Sequence, residues 1–115
     1  MFARLMGLKS LSPQELHRLL GDAKLTVIDV NSPQSWSAAR VPGAINLDSV
    51  TYSEADLPRD REASLVFYCS GHLCRKAPNA ARKARQMGYL NVQVMSAGIT
   101  GWLGAKLATE SGSTT

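Results

Sequence analysis

The chain has 115 residues, of which 44% are hydrophobic and 19% are charged, and these values fit one globular domain with its own core. No apolar run approaches the roughly 18 residues that span a bilayer, and residues 1–11 lack the apolar stretch of a secretory signal. We therefore expect a cytoplasmic protein without membrane contact. Residues 1–110 are expected to form a single domain, and residues 111–115 a disordered tail.

Local sequence signals predict helices and strands that alternate along the chain. Ser12, Pro13 and Glu15 form a helix start with a capping box, and Gly21 is a stop signal. Such signals predict helices at residues 13–20, 33–39, 78–87 and 102–107. Apolar runs predict strands at residues 25–30, 44–47, 64–68 and 92–95, with irregular chain between 48 and 62. The alternation predicts an α/β fold in which helices cover both faces of a parallel sheet.

The two cysteines, Cys69 and Cys74, lie in one short segment. They do not join distant parts of the chain, and with His72 they are too few for a closed zinc site. Clustered cysteines in a cytoplasmic chain favour chemistry over a structural role. We expect neither a metal nor a cofactor.

The charges are unevenly distributed along the chain. Eight of the nine carboxylates lie between residues 15 and 62, and residues 63–109 contain none. The same acid-free segment carries six basic residues: Arg75, Lys76, Arg82, Lys83, Arg85 and Lys106. A positive field of this kind favours anionic substrates and deprotonated thiols. A solvated basic helix face explains the charges equally well, and because aromatic residues do not interleave with them, nucleic-acid binding is not expected.

Cys69 directly follows an apolar strand and precedes a loop and a helix. The loop is expected to turn backbone amides inward, as loops at helix N-termini do, and Arg75 and Lys76 add full positive charges. Such a cradle activates a cysteine nucleophile. It would hold a persulfide, a sulfur oxyanion, a phosphoryl group or an arsenyl group equally well. The expected substrate-binding residues are Ser70, Gly71, His72, Leu73, Cys74 and Lys76, and the expected catalytic residues are Cys69 and Arg75.

Structural roles remain open for the same residues. A free cysteine at a strand end is often simply buried, which would apply to Cys69. Cys74 either faces the loop interior or resolves Cys69 into a disulfide. His72 either moves protons or is an exposed loop residue.

Four segments, in this order, resemble the rhodanese family. The first is Asp29-Val30 with the following Pro33 to Trp36, and the second, Arg40-Val41-Pro42-Gly43-Ala44, resembles the family's His-Ile-Pro-Gly-Ala signature. The third, Val66-Phe67-Tyr68-Cys69, is similar to its active-site strand, and the fourth, Ala97-Gly98-Ile99-Thr100-Gly101-Trp102, to its Gly-Gly-Ile-x-x-Trp ending. The resemblance implies an α/β fold with a parallel sheet of five strands.

The resemblance also implies a function. Enzymes of the family move sulfane sulfur from a small anionic donor such as thiosulfate onto the cysteine. The persulfide, here on Cys69, then passes to cyanide or to a thiol acceptor such as thioredoxin or glutathione. Residues 70–75 would supply the amides of the cradle. Asp29 would be mainly architectural, and Trp102 would be a packing residue.

The chain departs from the family pattern at three places. Asn31 stands where the family often has arginine, and Arg40 where it often has histidine. The active-site loop is about two residues longer than in common single-domain sulfurtransferases. Its Cys69-x5-Arg75 spacing resembles rhodanese-fold phosphatases and arsenate reductases, in which Arg75 would clamp a tetrahedral anion. A third hypothesis is a non-enzymatic module for binding or redox sensing, with the basic residues docking an acidic partner.

Overall fold

The computed structural model describes residues 8–113, and its centre is a sheet of five parallel strands. In chain order the strands are β1 (Lys9–Ser10), β2 (Leu25–Asp29), β3 (Ile45–Asn46), β4 (Ser64–Tyr68) and β5 (Asn91–Val94). Their order across the sheet is β1-β5-β4-β2-β3, so β4 is the central strand. It pairs with β2 from Leu25↔Ser64 to Asp29↔Tyr68. The predicted five-stranded parallel sheet is confirmed.

Four α-helices connect and cover the strands. They are α1 (Pro13–Leu19), α2 (Pro33–Ala38), α3 (Lys76–Gln86) and α4 (Gly98–Gly104), and a 3₁₀ helix at Glu54–Asp56 interrupts the predicted irregular segment. The capping box at the start of α1 forms as predicted, because the Ser12 side chain accepts from the Glu15 amide and the Glu15 carboxylate accepts from the Ser12 amide. None of the helices within residues 8–113 has both the length and the apolar character needed to cross a membrane.

The sheet is buried on both faces, as its apolar strands predict. Side chains alternate along β4: Leu65 and Phe67 join the core cluster that contains the alanines of α3, whereas Val66 and Tyr68 join the cluster that contains Leu16 of α1 and Trp102 of α4. The first cluster contains four small residues of α3, which let the helix lie close to the sheet: Ala77, Ala80, Ala81 and Ala84. Helices therefore cover both faces, which confirms the predicted layers.

Two helix starts differ from the sequence prediction. Helix α3 begins at Lys76 rather than Pro78, so the preceding loop comprises residues 70–75 and not 70–77. Proline is accepted in a first helical turn, where backbone amides have no partner within the helix, and Pro78 therefore does not have to be the first residue. Helix α4 begins at Gly98 rather than Trp102 and ends at Gly104 rather than at residue 107, so it lies earlier in the chain than predicted.

The described chain makes hydrogen bonds with the domain beyond the predicted boundary at residue 110. The Gly112 amide donates to the Ser37 carbonyl oxygen at 2.8 Å, and the Arg40 guanidinium donates to the carbonyl oxygens of Ser111 and Gly112. These contacts join Ser111 and Gly112 to the domain, and the disordered tail expected over residues 111–115 stays a prediction. Residues 114 and 115 lie outside the described residues.

Candidate active site at the end of the central strand

Cys69 is the first residue after β4, at the carboxyl edge of the sheet where parallel α/β folds bind ligands. Its side chain is nearly inaccessible, with 2% of the residue surface exposed. β4 lies between β5 and β2, so strands on both sides hold the backbone that leads into Cys69. A cysteine that directly follows an apolar strand of a parallel sheet is expected at this edge, and Cys69 lies there.

The loop after Cys69 folds back on itself and is closed by a disulfide bond between Cys69 and Cys74. The Cα atoms of the two cysteines are 6.4 Å apart, and the Cys74 amide donates to the Gly71 carbonyl oxygen at 3.1 Å. Of the two arrangements that the sequence left open for Cys74, the structure contains the disulfide. Within residues 8–113, the amide nitrogens of Gly71, His72 and Leu73 donate to no other group.

The first turn of α4 forms backbone hydrogen bonds with the start of this loop. The amides of Ile99 and Thr100 donate to the carbonyl oxygens of Cys69 and Ser70, at 2.9 Å and 3.0 Å. Gly98 has a φ of +61°, and a Cβ atom placed on it would lie 2.5 Å from the Cys69 carbonyl oxygen. Only glycine lets the two segments approach so closely. The motif from Ala97 to Trp102 thus positions the backbone of the cysteine loop.

Three spaces adjoin the loop, of which the largest, about 820 Å³, reaches it only at His72 and is lined mainly by residues 8–13. An inner cavity of about 10 Å³ is lined by both cysteines and by residues of α3 and the end of β5. It has room for about one water molecule, so no sulfur oxyanion fits there while the disulfide is closed. An outer groove of about 320 Å³ runs between the loop and α4.

The other predicted site residues lie around the loop. His72, Leu73, Arg75 and Lys76 are exposed, and Ser70 and Gly71 line the outer groove with Leu73. Arg75 is the last loop residue and directly precedes α3, where its charge and that of Lys76 contribute to the positive potential of the segment. Among residues 8–113, no three His, Cys, Asp or Glu side chains lie close enough together to hold a metal ion.

One carboxylate near this site was not identified from the sequence. The Asp48 carboxylate accepts hydrogen bonds from the amides of Thr51 and Val50, at 3.0 Å and 2.8 Å. These bonds, with a smaller contribution from the charge of Lys76, lower the pKa of Asp48 below its ordinary value. Asp48 is distant in sequence from Lys76 and lies outside the acid-free segment, so no local pattern in the chain predicts that the two residues interact.

Asp29 connects the ends of β2 and β4 below the loop. Its carboxylate accepts a 2.7 Å hydrogen bond from the Tyr68 hydroxyl and a 2.8 Å bond from the Asn31 amide. Burial raises the pKa of Asp29, and the hydrogen bonds from Tyr68 and Asn31 oppose that rise. The Tyr68 hydroxyl also accepts from the Val41 amide at 3.1 Å. These contacts support the architectural role that the resemblance implies for Asp29.

Arg40 and Trp102 are both packing residues. The Arg40 guanidinium lies 4.0 Å from the centre of the Trp36 ring and donates to the carbonyl oxygens of Trp36 and Gly112 at 3.1 Å and 2.8 Å. Trp102 is fully buried, and its indole nitrogen donates to the Ala108 carbonyl oxygen at 2.9 Å. Arginine at position 40 thus fastens the C-terminal segment to the domain and does not belong to the cysteine loop.

Comparison with curated proteins identifies relatives of two kinds. The chain is 34% identical over 100 residues to the HTH-type transcriptional regulator Rv0324 of Mycobacterium tuberculosis, and the match covers 85% of this chain but 43% of the regulator. The chain therefore spans less than half of that relative. It is 27% identical over 111 residues to the thiosulfate:glutathione sulfurtransferase of Homo sapiens, with 84% of this chain and 95% of that protein covered.

A solved structure and a family model both match most of this chain. SseA from Escherichia coli, described as one of the 3-mercaptopyruvate sulfotransferases with the rhodanese fold, superposes with a TM-score of 0.78 at 21% identity. This match covers 93% of the present chain and 52% of SseA, and at such identity it shows the fold alone. The family model for the Rhodanese-like domain matches residues 12–105. Because this match covers most of the chain and the sheet has the same architecture, the chain belongs to the rhodanese-like domain family.

Proposed function

We propose that the protein is a sulfurtransferase that carries sulfane sulfur as a persulfide on Cys69. The observation that carries this proposal is the position of Cys69 at the carboxyl end of the central strand, bonded to a second cysteine on the loop that follows. The human relative named thiosulfate:glutathione sulfurtransferase supports thiosulfate as the donor and a thiol as the acceptor. We place the reaction in the cytoplasm, where thiol reductants keep cysteines available.

The loading step requires the reduced protein, because the disulfide leaves no free thiol at Cys69. The Cys69 thiolate attacks the outer sulfur of thiosulfate, and the sulfur–sulfur bond of thiosulfate breaks. Sulfite leaves with the electron pair, and Cys69 becomes a persulfide anion. The unpaired amides of Gly71, His72 and Leu73 and the charges of Arg75 and Lys76 are the groups that would stabilise the anions on both sides of this step.

Discharge uses thiols, and Cys74 is the first thiol within reach. The terminal sulfur of the persulfide takes up a proton from water, the Cys74 thiolate attacks the Cys69 sulfur, the bond to the terminal sulfur breaks, and hydrosulfide leaves with the electron pair. The product is the Cys69–Cys74 disulfide, which is the state that the structure contains. Two external thiols, or one dithiol such as thioredoxin, then reduce the disulfide and are themselves oxidised to a disulfide.

Sulfite release from thiosulfate in the presence of glutathione tests the proposal. We expect the Cys69→Ser variant to fall to the rate of buffer alone, because serine cannot hold the transferred sulfur. Cys74→Ser should still release one sulfite per protein in a single turnover, since loading requires only Cys69. A Cys69→Ser variant with the rate of the unchanged protein would contradict the proposal.

An oxyanion enzyme is the second candidate, because Arg75 ends the loop one residue before α3 in the Cys69-x5-Arg75 spacing. The same preparations should be supplied with a phosphate monoester and with arsenate. We expect no turnover that depends on Cys69. Turnover that disappears in Cys69→Ser and in Arg75→Lys would favour a phosphatase or arsenate reductase instead. A protein that turns over none of these substrates would be a binding or redox module.

A further inference from the structure

Cys74 borders two of the spaces that adjoin the active-site loop, whereas Cys69 borders one. Both cysteines line the inner cavity, but Cys74 alone of the two lines the outer groove. Cys69 is 2% exposed, and Cys74 is half-buried. A thiol that arrives from solvent therefore meets the disulfide at Cys74.

The outer groove has the size of a small-ligand site. Its volume of about 320 Å³ lies at the lower end of the range for such sites, which is roughly 300–1,000 Å³. Loop residues form one wall, and Ala97, Thr100 and Gly101 form the other. Leu73, which is 89% exposed, stands at the rim and offers apolar contact to a ligand.

The walls of the groove are free of negative charge. All of its lining residues lie within residues 63–109, the segment that contains no carboxylate. Arg75 and Lys76 directly follow the loop wall. Neither cation lines the groove, but an anionic ligand meets no carboxylate there and has two cations at the end of the loop wall, and the volume favours a small ligand.

We propose that the outer groove binds a small anionic thiol and directs its sulfur to Cys74 rather than to Cys69. This proposal rests on the proposed function for its place in the cycle, because it assigns the site at which the spent disulfide is reduced. The thiolate attacks the Cys74 sulfur, the Cys69–Cys74 bond breaks, and Cys69 leaves as a thiolate with the electron pair. A second thiolate then attacks the bound thiol's sulfur and releases Cys74, so that two thiols are oxidised to one disulfide.

Reduction of the oxidised protein by glutathione provides the test, and it needs no sulfur loading. Glutathione is the anionic thiol, and dithiothreitol is an uncharged thiol of similar reactivity. The rate is followed by acid quench, alkylation and intact mass. The variants are Thr100→Glu and Thr100→Lys in the groove wall, with Thr109→Glu as a control that adds the same charge at an exposed position outside the groove.

We expect Thr100→Glu to slow reduction by glutathione about threefold or more and Thr100→Lys to accelerate it, because one charge in the groove acts on a charged ligand at short range. Thr109→Glu should leave the rate within about twofold, and dithiothreitol should react at similar rates with all four proteins. Equal effects of the two glutamates, or no effect of Thr100→Glu, would overturn the proposal.

Fragment mass spectrometry of early quenched samples assigns the attacked sulfur. We expect the glutathione adduct on Cys74 and the alkyl group on Cys69, and the reverse pattern would overturn the proposal. If the adduct decays before it can be isolated, the reduction rates of the Thr100 variants show which sulfur is attacked, because the groove adjoins Cys74 and not Cys69. A protein that fails to load sulfur but shows these rates would refute the proposed function and leave the thiol site intact.

Discussion

The Tyr68 hydroxyl donates a 2.7 Å hydrogen bond to the fully buried Asp29 carboxylate. Tyr68 directly precedes Cys69, the residue proposed to carry sulfur. This bond joins β4 to β2 at the carboxyl edge of the sheet. Tyr68 also accepts from the Val41 amide, so a single hydroxyl links three segments beneath the active-site loop. The energetics of this link can be measured in two ways.

The first measurement is the pH dependence of stability in Asp29→Asn. The pKa of Asp29 is raised above 3.8 by burial, so the folded state holds this proton more tightly than the unfolded state does. Its contribution to stability is therefore fully present below 3.8 and declines as pH rises through the raised pKa. We expect the stability of the unchanged protein relative to Asp29→Asn to decrease over that interval in urea unfolding. A difference that is constant, or that increases with pH, would contradict this assignment.

The second measurement compares Tyr68→Phe with Tyr52→Phe. The first change leaves the buried Asp29 carboxylate and the Val41 amide without the hydroxyl, and we expect a loss of about 1–3 kcal/mol in the free energy of unfolding. Tyr52 is also buried, but its hydroxyl makes one bond, of 2.6 Å, to the Ala80 carbonyl oxygen. Its removal should cost about 1 kcal/mol or less. Equal losses in the free energy of unfolding would mean that the Tyr68 hydroxyl stabilises the protein no more than the Tyr52 hydroxyl does.

Gly98→Ala tests the contact between α4 and the cysteine loop. The new Cβ would lie 2.5 Å from the Cys69 carbonyl oxygen, at a residue whose φ is +61°. We expect a loss of about 1–3 kcal/mol in stability and slower sulfite release, because the loop must move away from α4. Gly104→Ala in the same helix meets nothing within 4 Å and should change stability by less than about 1 kcal/mol. A Gly98→Ala protein with unchanged stability and unchanged sulfite release would show that the contact is not required.

Arg40→Met tests the attachment of the C-terminal segment. Methionine keeps apolar contact with Trp36 but loses the hydrogen bonds to the carbonyl oxygens of Trp36 and Gly112. We expect a loss of about 2–3 kcal/mol in the free energy of unfolding. Deletion of residues 110–115 removes the same bonds to Gly112, so the two changes should be strongly non-additive in a double-mutant cycle. Simple additivity would show that Arg40 and the segment do not act together.

The sequence predicts the layers of the fold well because most of its elements carry strong local signals. The apolar runs in β2, β4 and β5 and the capping box of α1 each specify their element locally. β1 was not predicted, because Lys9–Ser10 is a short exposed edge strand without an apolar pattern, and only its pairing with β5 defines it. The start of α4 is not predictable locally, because its N-cap residue Ala97 makes no side-chain capping bond and the conformation of Gly98 depends on the cysteine loop.

The sequence also places Cys69 correctly at the edge of the sheet, but it cannot specify the surroundings of the site. Which of its two roles Cys74 takes depends on how the loop folds back, and that geometry includes the bonds from α4. Asp48 near Lys76 and the attachment of Ser111 to Arg40 are long-range contacts. Such contacts leave no periodic pattern in the chain, so a local analysis does not detect them.

The central claim is that sulfur is carried on Cys69, and intact mass tests it most directly. The reduced protein is incubated with thiosulfate beside Cys69→Ser and Cys74→Ser. The account predicts that Cys74→Ser gains the mass of one sulfur atom, that Cys69→Ser gains none, and that the unchanged protein either gains one sulfur or loses two hydrogens as the Cys69–Cys74 disulfide forms. A gain of sulfur by Cys69→Ser would contradict the account. The account would also be contradicted if Cys74→Ser gained no sulfur and the unchanged protein neither gained sulfur nor formed the disulfide.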